Sequence, residues 1–398
     1  MHSDWDPPAD GMMRSEHTQL NGVPVLKDIM VTGGAGFIGG WFIRHLMPAY
    51  GDRYAVTCFD SLDYCASRNN FKAVAQSATF HFVKGDICAP KDVGSVLRSY
   101  HIDSIIHFAA RSHVDTSLND PLSFTRTNVI GTQVLLGIAR KLGSSKRFIH
   151  VSTDEVYGEN DTQRPLAFTK EQSLHPTSPY SASKAAAEMI VQAYRKSSRM
   201  PAIIVRCNTV FGPHQFPESR SPPTLLLASD PLIKARFRAY PALHHSLEPK
   251  EKNADPWRWS HISAFLWAGD AVEALDVIFH RGPDGETHNI SSNDHLQVGE
   301  VAEKIFRCFH PDGTHELDDW IEYVLDRPFN DSMYWTDDSK LRAFGWKQRT
   351  NFDEVLQVTV DWYCRESEGF WPNCDGSAST VALDGDIVIA EGDRIRAV

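Results

Sequence analysis

From Asp28 onward, short apolar runs alternate with longer amphipathic stretches, a pattern that predicts alternating strands and helices. Strands are expected at 28–32, 54–59, 79–83, 104–108, 147–152 and 202–206, and helices at 36–47, 67–76, 91–100, 122–142 and 179–198. Such alternation implies right-handed crossovers and an α/β fold built on a Rossmann-type, doubly wound parallel sheet, with ligands at the C-terminal ends of the strands. Beyond Gly212-Pro213 the pattern lapses, and residues 213–260 are rich in Pro, His and Arg without clear periodicity. Regularity returns from Ala264, with a helix expected over 268–279, a short strand at 288–290 and a helix over 298–309. The expected organisation is a disordered leader (1–27), a Rossmann domain (28–206), a smaller C-terminal substrate-binding lobe (207–365, with 219–263 apart) and a tail (366–398). No internal repeat is visible.

The first strand runs directly into Gly33-Gly34-Ala35-Gly36-Phe37-Ile38-Gly39. Gly33, Gly36 and Gly39, spaced by three, permit a tight turn, a close backbone approach to a pyrophosphate and close packing of the next helix on the sheet. The phosphates would sit on that helix N-terminus. Alone this is weak, since a tight turn needs the same glycines. The second strand, however, ends in Asp60, 21 residues past Gly39. An acid there accepts from both ribose hydroxyls and repels a 2′-phosphate, which favours NAD over NADP. A plain strand end remains the other reading of Asp60.

The fifth strand ends in Ser152-Thr153-Asp154-Glu155-Val156-Tyr157-Gly158, where a hydroxyl and two acids stand side by side. Twenty-five residues after Glu155, Tyr180-Ser181-Ala182-Ser183-Lys184 puts a phenol and an ammonium one helical turn apart. A cation beside Tyr180 would hold it as a phenolate, able to take a proton from an alcohol. The two carboxyls could remove one proton and donate another. Together these groups describe an oxidation coupled to an elimination. Taken singly, Asp154-Glu155 also reads as a helix cap, the Tyr-Lys pair as a solvated helix face, and His107 and His113 as structural histidines.

Composition narrows the setting. A formal net charge of −11, with no concentrated basic face, argues against nucleic-acid binding. The seven cysteines contain no Cys-x-x-Cys pair, so neither a zinc site nor a disulfide framework is expected, and reduced thiols point to a cytoplasmic protein. The N-terminal 22 residues lack the apolar core of a secretory signal, and no apolar run approaches membrane-spanning length.

With these residues in place, the chain resembles the extended short-chain dehydrogenase/reductase superfamily, and within it most of all the dTDP-glucose and UDP-glucose 4,6-dehydratases, especially the eukaryotic type joined to rhamnose synthesis. The resemblance covers about 28–218 and 264–363. It rests on GGAGFIG (33–39), the FDSLDYC stretch from Phe59, KGDI (84–87), HFAARSHVD (107–115) and RTNVIGT (126–132). It continues through STDEVYG (152–158), PYSASKA (179–185), FGPHQFPE (211–218), DRPFND (326–331), FGWKQRT and DWY (361–363). The resemblance implies tightly bound NAD, a nucleotide-sugar substrate and a homodimer joined through helices 122–142 and 179–198. It implies that Tyr180 deprotonates the sugar 4-hydroxyl as hydride leaves carbon 4, that Thr153 holds the same oxygen, and that Lys184 lowers the phenol pKa and binds the nicotinamide ribose. Glu155 would then remove the carbon 5 proton, Asp154 would protonate the departing 6-hydroxyl, and hydride would return to carbon 6. Phe37, Ile38, Asp60, Asp86, Ile87, Ala109, Ala110 and Thr127 match positions lining the NAD site, along with Tyr180 and Lys184. His113, Thr153, Asn208, Arg327 and Asp331 match substrate positions.

The chain also departs from the pattern. Thr209 stands where the family carries a second Asn, and Ser219-Arg220-Ser221-Pro222-Pro223 replaces a Lys and an apolar helix, whose start two prolines oppose. The family's phosphate-binding Arg would fall near Ser263 and Ala264, and nothing in the spacing shows that Arg236, Arg238 or Arg258 replaces it. The first reading is an active dehydratase, for which the intact Thr153, Asp154, Glu155, Tyr180 and Lys184 speak; the alternatives are a silent NAD-binding relative or partner, for which the altered 219–263 stretch speaks, and another nucleotide-sugar epimerase or dehydratase. The nucleotide base is not written in these residues.

Overall fold

A computed structural model of the chain describes residues 26–160, 167–217, 262–313, 317, 335–367 and 369–371. The chain alternates as its patterning predicts. Strand β1 (Asp28–Thr32) leads into helix α1 (Phe37–Tyr50), β2 (Ala55–Asp60) and β3 (Phe80–Lys84). Helix α2 (Pro90–Ser99), β4 (Ser104–His107) and the short helices α3 (Val114–Asn119) and α4 (Pro121–Phe124) follow. Then come α5 (Thr132–Leu142), β5 (Arg147–Thr153), α6 (Pro179–Ser198), β6 (Ala202–Cys207) and β7 (Thr209–Phe211). The remaining elements are β8 (Ile262–Trp267), α7 (Ala268–Arg281), β9 (Thr287–Ile290), β10 (His295–Gln297), α8 (Val298–Phe309), α9 (Ser339–Ala343) and α10 (Phe352–Glu366).

Seven strands form one sheet in the order β3-β2-β1-β4-β5-β6-β9, every neighbouring pair parallel. The order reverses between β1 and β4, the switch point where such sheets bind ligands. All residues of β5 and β6 are buried, as befits strands covered on both faces. Their side chains alternate between two cores. Ile149, Val151, Ile203 and Val205 pack with Trp41 and Phe42 of α1 and Leu275 and Phe279 of α7. Phe148 and Ile204 face the other way, toward Val96 of α2 and Leu135 and Leu136 of α5.

Three expectations are corrected. The short strand near 288–290 does not belong to a separate lobe: β9 pairs with β6 as the seventh strand, and α7 covers the same sheet as α1, so the sheet crosses the 206/207 boundary. The helix expected over 67–76 is a 3-10 segment over Arg68–Val74 that breaks at Phe71. Asn70 there turns inward and donates to the Ala35 carbonyl at 2.8 Å, which a straight helix would not permit. The single helix expected over 122–142 is α4, a π-turn over Thr125–Gly131 and α5. The wider turn brings the Asn128 amide inward, where it bonds the Arg111 N–H (2.8 Å), the Arg111 carbonyl (2.9 Å) and the Ser183 hydroxyl (2.8 Å). A three-stranded sheet, β10-β8-β7, and helix α10 were not anticipated.

Candidate active site

The glycine turn lies between β1 and α1. Gly33 has φ +69°, the left-handed region, and a Cβ there would meet the Ala109 nitrogen at 2.6 Å. A Cβ at Gly39 would strike the Gly33 carbonyl, and one at Gly36 would press it at 3.2 Å. The three positions therefore form a bare backbone cradle at the N-terminus of a 14-residue helix, which suits a pyrophosphate. Asp60, buried at the end of β2, accepts from the Ala35 N–H (3.0 Å) and the Leu62 N–H (2.7 Å). Burial pushes its carboxyl up, and those two donors oppose the shift. Each oxygen retains lone-pair capacity for a ribose hydroxyl. Phe37 and Ile38 are half-buried at the start of α1, and Ala109 and Ala110 lie half-buried just beyond β4. Ile87 is buried in the second core, Asp86 is exposed with its carboxylate accepting from the Cys88 N–H (2.8 Å), and Thr127 is half-buried in the π-turn. The cradle, the acid and this rim lie at one edge of the switch point and fit a dinucleotide.

The second group of side chains converges at the end of β5. In the parallel register Thr153 sits opposite Cys207, so one residue further on Asp154 and Asn208 stand at adjacent strand ends. A 3-10 turn over Asp154–Tyr157 follows, capped by the Thr153 hydroxyl, which accepts from the Glu155 N–H at 3.2 Å. Thr153 also donates to Asp154 Oδ1 at 3.2 Å and is hydrogen-bonded to the Tyr180 phenol. Burial raises Asp154 to about 6 against donors from Asn208 and Thr153, so near neutrality it exchanges a proton readily. Tyr180 is buried on α6, its N–H donating to Ser117 at 3.2 Å and its ring meeting Phe124 edge-on. Ser178 caps α6 through a reciprocal box with Ser181, which fixes where Tyr180 enters the site.

Several contacts of these residues bear on the roles expected of them. Burial raises the Tyr180 phenol, with Glu155 next and Asp154 adding, and only the Thr153 hydrogen bond opposes it. The Lys184 ammonium, expected to lower it, donates instead to the Val151 carbonyl at 2.6 Å, and burial draws its own pKa down to about 8. Same-face spacing brought the two side chains together in register, but the nearer strand carbonyl captures the ammonium. Asn208, expected at the substrate, spends its amide on Asp154 Oδ2 (2.5 Å) and the Ser292 N–H (3.1 Å). His113 accepts from the Thr116 N–H at 3.2 Å as the N-cap of α3. Arg327 and Asp331 lie outside the described residues, as do Arg236, Arg238 and Arg258. The two departures near the mouth meet: Thr209 Oγ1 lies 3.1 Å from Ser263 Oγ.

Supporting residues complete the site: His107, one of whose readings was a structural histidine, and Arg206, which the sequence reading did not single out. His107 bridges Thr32 (2.7 Å) and Thr132 (2.9 Å), tying β1 and β4 to the start of α5. Burial holds its pKa down at about 3, so it works as a neutral ring. Arg206 pairs with Glu188 in the core and lies over the Tyr157 ring at 4.6 Å, bracing the turn that carries Asp154 and Glu155. Fully apolar strands interrupted by a single His or Arg were the available signal. Among the described residues there is no cluster of metal-ligating side chains, and Cys58, Cys88, Cys207 and Cys308 form no disulfide.

Comparison with known proteins gives concordant results. The family model described as GDP-mannose 4,6 dehydratase matches residues 30–230. A trifunctional UDP-glucose 4,6-dehydratase/UDP-4-keto-6-deoxy-D-glucose 3,5-epimerase/UDP-4-keto-L-rhamnose-reductase of Arabidopsis thaliana is 39% identical over 351 residues. That match takes in 88% of this chain but 49% of the relative, so the chain spans about half the length of that protein. The dTDP-D-glucose 4,6-dehydratase of Mus musculus is 36% identical over 350 residues, covering 88% of this chain and 92% of the relative. Among solved structures, DesIV, the dTDP-glucose 4,6-dehydratase of Streptomyces venezuelae with NAD and TYD bound, superposes with a TM-score of 0.74 at 32% identity, covering 87% of this chain and 99% of DesIV.

Proposed function

The chain belongs to the GDP-mannose 4,6-dehydratase family within the extended short-chain dehydrogenase/reductases, and from that membership we propose that it is an NAD-dependent 4,6-dehydratase of a nucleotide-activated hexose. The substrate is UDP-glucose or dTDP-glucose, and the product is the corresponding 4-keto-6-deoxy sugar. NAD, when bound, supplies a hydride acceptor that is restored within one turnover, so the overall reaction is loss of water. The cradle of Gly33, Gly36 and Gly39 binds the pyrophosphate, Asp60 holds the adenosine ribose, and Phe37, Ile38, Asp86, Ile87, Ala109, Ala110 and Thr127 line the dinucleotide.

The chemistry on the sugar falls to four side chains. Tyr180 would take the proton of the 4-hydroxyl as a phenolate, a form that burial opposes and that the Lys184 ammonium one turn along α6 and the positive charge of bound NAD would favour, with Thr153 holding that oxygen through the hydrogen bond it shares with the phenol. Oxidation at carbon 4 acidifies the carbon 5 proton, which Glu155 removes. Asp154 protonates the 6-hydroxyl as it leaves, a role that a buried carboxyl raised to about 6 can fill at neutral pH. Lys184, charged at neutral pH, orients the nicotinamide ribose from beside Val151. His113, Arg327 and Asp331 contact the nucleotide sugar.

The observation that carries this reading is the meeting of Thr153, Asp154, Glu155 and Tyr180 at the C-terminal end of one strand. In this reading they supply a base for the alcohol, a base for carbon 5 and an acid for the leaving hydroxyl. Incubating the purified protein with NAD and either UDP-glucose or dTDP-glucose tests it. Formation of a 4-keto sugar, read by its near-ultraviolet absorbance in alkali, is expected. Bound NAD with no keto product from any nucleotide glucose would mark the chain as a silent relative.

The protein acts as a homodimer in the cytoplasm. Support for the dimer is exposed apolar side chains on α4, the π-turn and α6: Leu122 is 79% exposed, Ile130 49% and Met189 60%. These elements neighbour one another, and a second copy would cover the apolar side chains they expose. Among the described residues, no helix is long and apolar enough to cross a membrane.

A further inference from the structure

We infer that Asn208 is a positioning residue that orients the general acid Asp154 and sets when it gives up its proton, an inference that rests on the proposed dehydratase reading. Asp154 reaches the site from the turn after β5, and its carboxyl is buried. A buried carboxyl with one free rotation could present either oxygen to the substrate. Asn208 removes that freedom. Its amide NH2 donates to Asp154 Oδ2 at 2.5 Å, while its amide oxygen accepts from the Ser292 N–H at 3.1 Å and its own N–H is bonded to the Ile290 carbonyl at 3.2 Å. The amide orientation follows from chemistry: an oxygen facing Asp154 would repel it, and an NH2 facing Ser292 would leave two donors opposed. The acid is thereby anchored to the loop after β9, a segment distant in sequence. Oδ1 is held by Thr153 at 3.2 Å.

Around Asp154 the titratable groups are Glu155 beside it, Tyr180 from α6 and Cys207 from β6. Lys184 acts on Cys207, and Ser292 contributes only its backbone N–H. Asn208 is thus the strongest neutral donor to the charged form of Asp154, and favouring that form lowers the pH at which the acid loses its proton. Asn208 keeps the acid deliverable near neutrality, where burial alone would hold its proton too tightly.

The test reads the Asp154 carboxyl directly, with no substrate, as the carboxylic-acid stretching band in the infrared spectrum of the intact protein that disappears in Asp154→Asn. In Asn208→Ala the titration midpoint is expected to rise by about one pH unit, the size of losing one charge-assisted hydrogen bond. Asn208→Asp keeps the acceptor for Ser292 and puts a second carboxylate opposite Asp154. The pair then shares a proton and the midpoint rises further. This variant keeps the inference testable if the Ala variant misfolds. The falling alkaline limb of the dehydration rate is expected to move with the midpoint, with KM little changed. An unmoved midpoint in both variants, or a raised KM with an unmoved pH profile, overturns the inference and returns Asn208 to substrate binding. A moved midpoint in a protein that makes no keto sugar supports the hold on Asp154 and defeats the dehydratase reading alone.

Discussion

Asp154 and Glu155 are neighbours in sequence with different surroundings, and that difference matches the roles proposed for them. Asp154 is buried with both oxygens bonded, and Glu155 is half-buried with its N–H tied to Thr153. The acid that must give a proton is therefore the one whose charge burial disfavours. Its protonated fraction falls as pH rises through about 6, so elimination is expected to slow on the alkaline side. Substitution separates the pair. Glu155→Gln is expected to stop solvent deuterium from entering carbon 5 in D2O, while Asp154→Asn still exchanges that position yet forms at least ~100-fold less 6-deoxy product. Mass spectrometry of recovered sugar distinguishes the two. Equal loss of exchange in both variants would contradict the division of labour. These residue types were legible in the sequence because STDEVYG follows an apolar strand. The fate of the Lys184 ammonium was not, because the Val151 carbonyl that captures it lies 33 residues away.

At the scale of elements, the glycine turn depends on how α1 is held against α7. Asp276 of α7 accepts from the Tyr50 hydroxyl at 2.9 Å, lies 3.1 Å from His45 Nε2 and 2.7 Å from His280 Nδ1, and His280 in turn contacts the Tyr54 hydroxyl at 2.8 Å. Burial opposes the Asp276 charge, but the hydrogen bonds and charges of His280 and His45 win and hold its pKa well below the usual range. A folded-state pKa below the unfolded value means this stabilisation is present above about pH 4, where the unfolded carboxyl ionises, and is lost as pH falls toward the lower folded value. Asp276→Asn is therefore expected to cost about 2–4 kcal/mol at neutral pH, and the deficit should shrink below pH 4, as followed by urea unfolding. A deficit constant with pH would contradict this origin. Helix α1 and strands β1, β2 and β4 to β6 were legible because their apolar periods are strong and local. The seventh strand was not, because four residues, Thr287–Ile290, carry little pattern and acquire their place only by pairing with β6.

At the scale of the whole molecule, the parallel sheet gathers groups that are far apart in sequence: the glycine turn after β1, Asp60 after β2, the acid pair after β5 and Asn208 after β6. The outer surface carries its own prediction. Leu122→Asp with Met189→Asp is expected to convert a dimer into a monomer in multi-angle light scattering at micromolar concentration, and a wild-type monomer would contradict the proposed interface. The function itself turns on one migration. If oxidation, elimination and reduction occur around one sugar that never leaves the site, deuterium placed at carbon 4 of the nucleotide glucose must reappear at carbon 6 of the same product molecule. Proton and deuterium magnetic resonance of a product made from labelled UDP-glucose or dTDP-glucose reads this directly. The account predicts monodeuterated carbon 6 with no crossover into unlabelled substrate turned over in the same vessel. Deuterium lost to solvent, retained at carbon 4 or scrambled between molecules would contradict it.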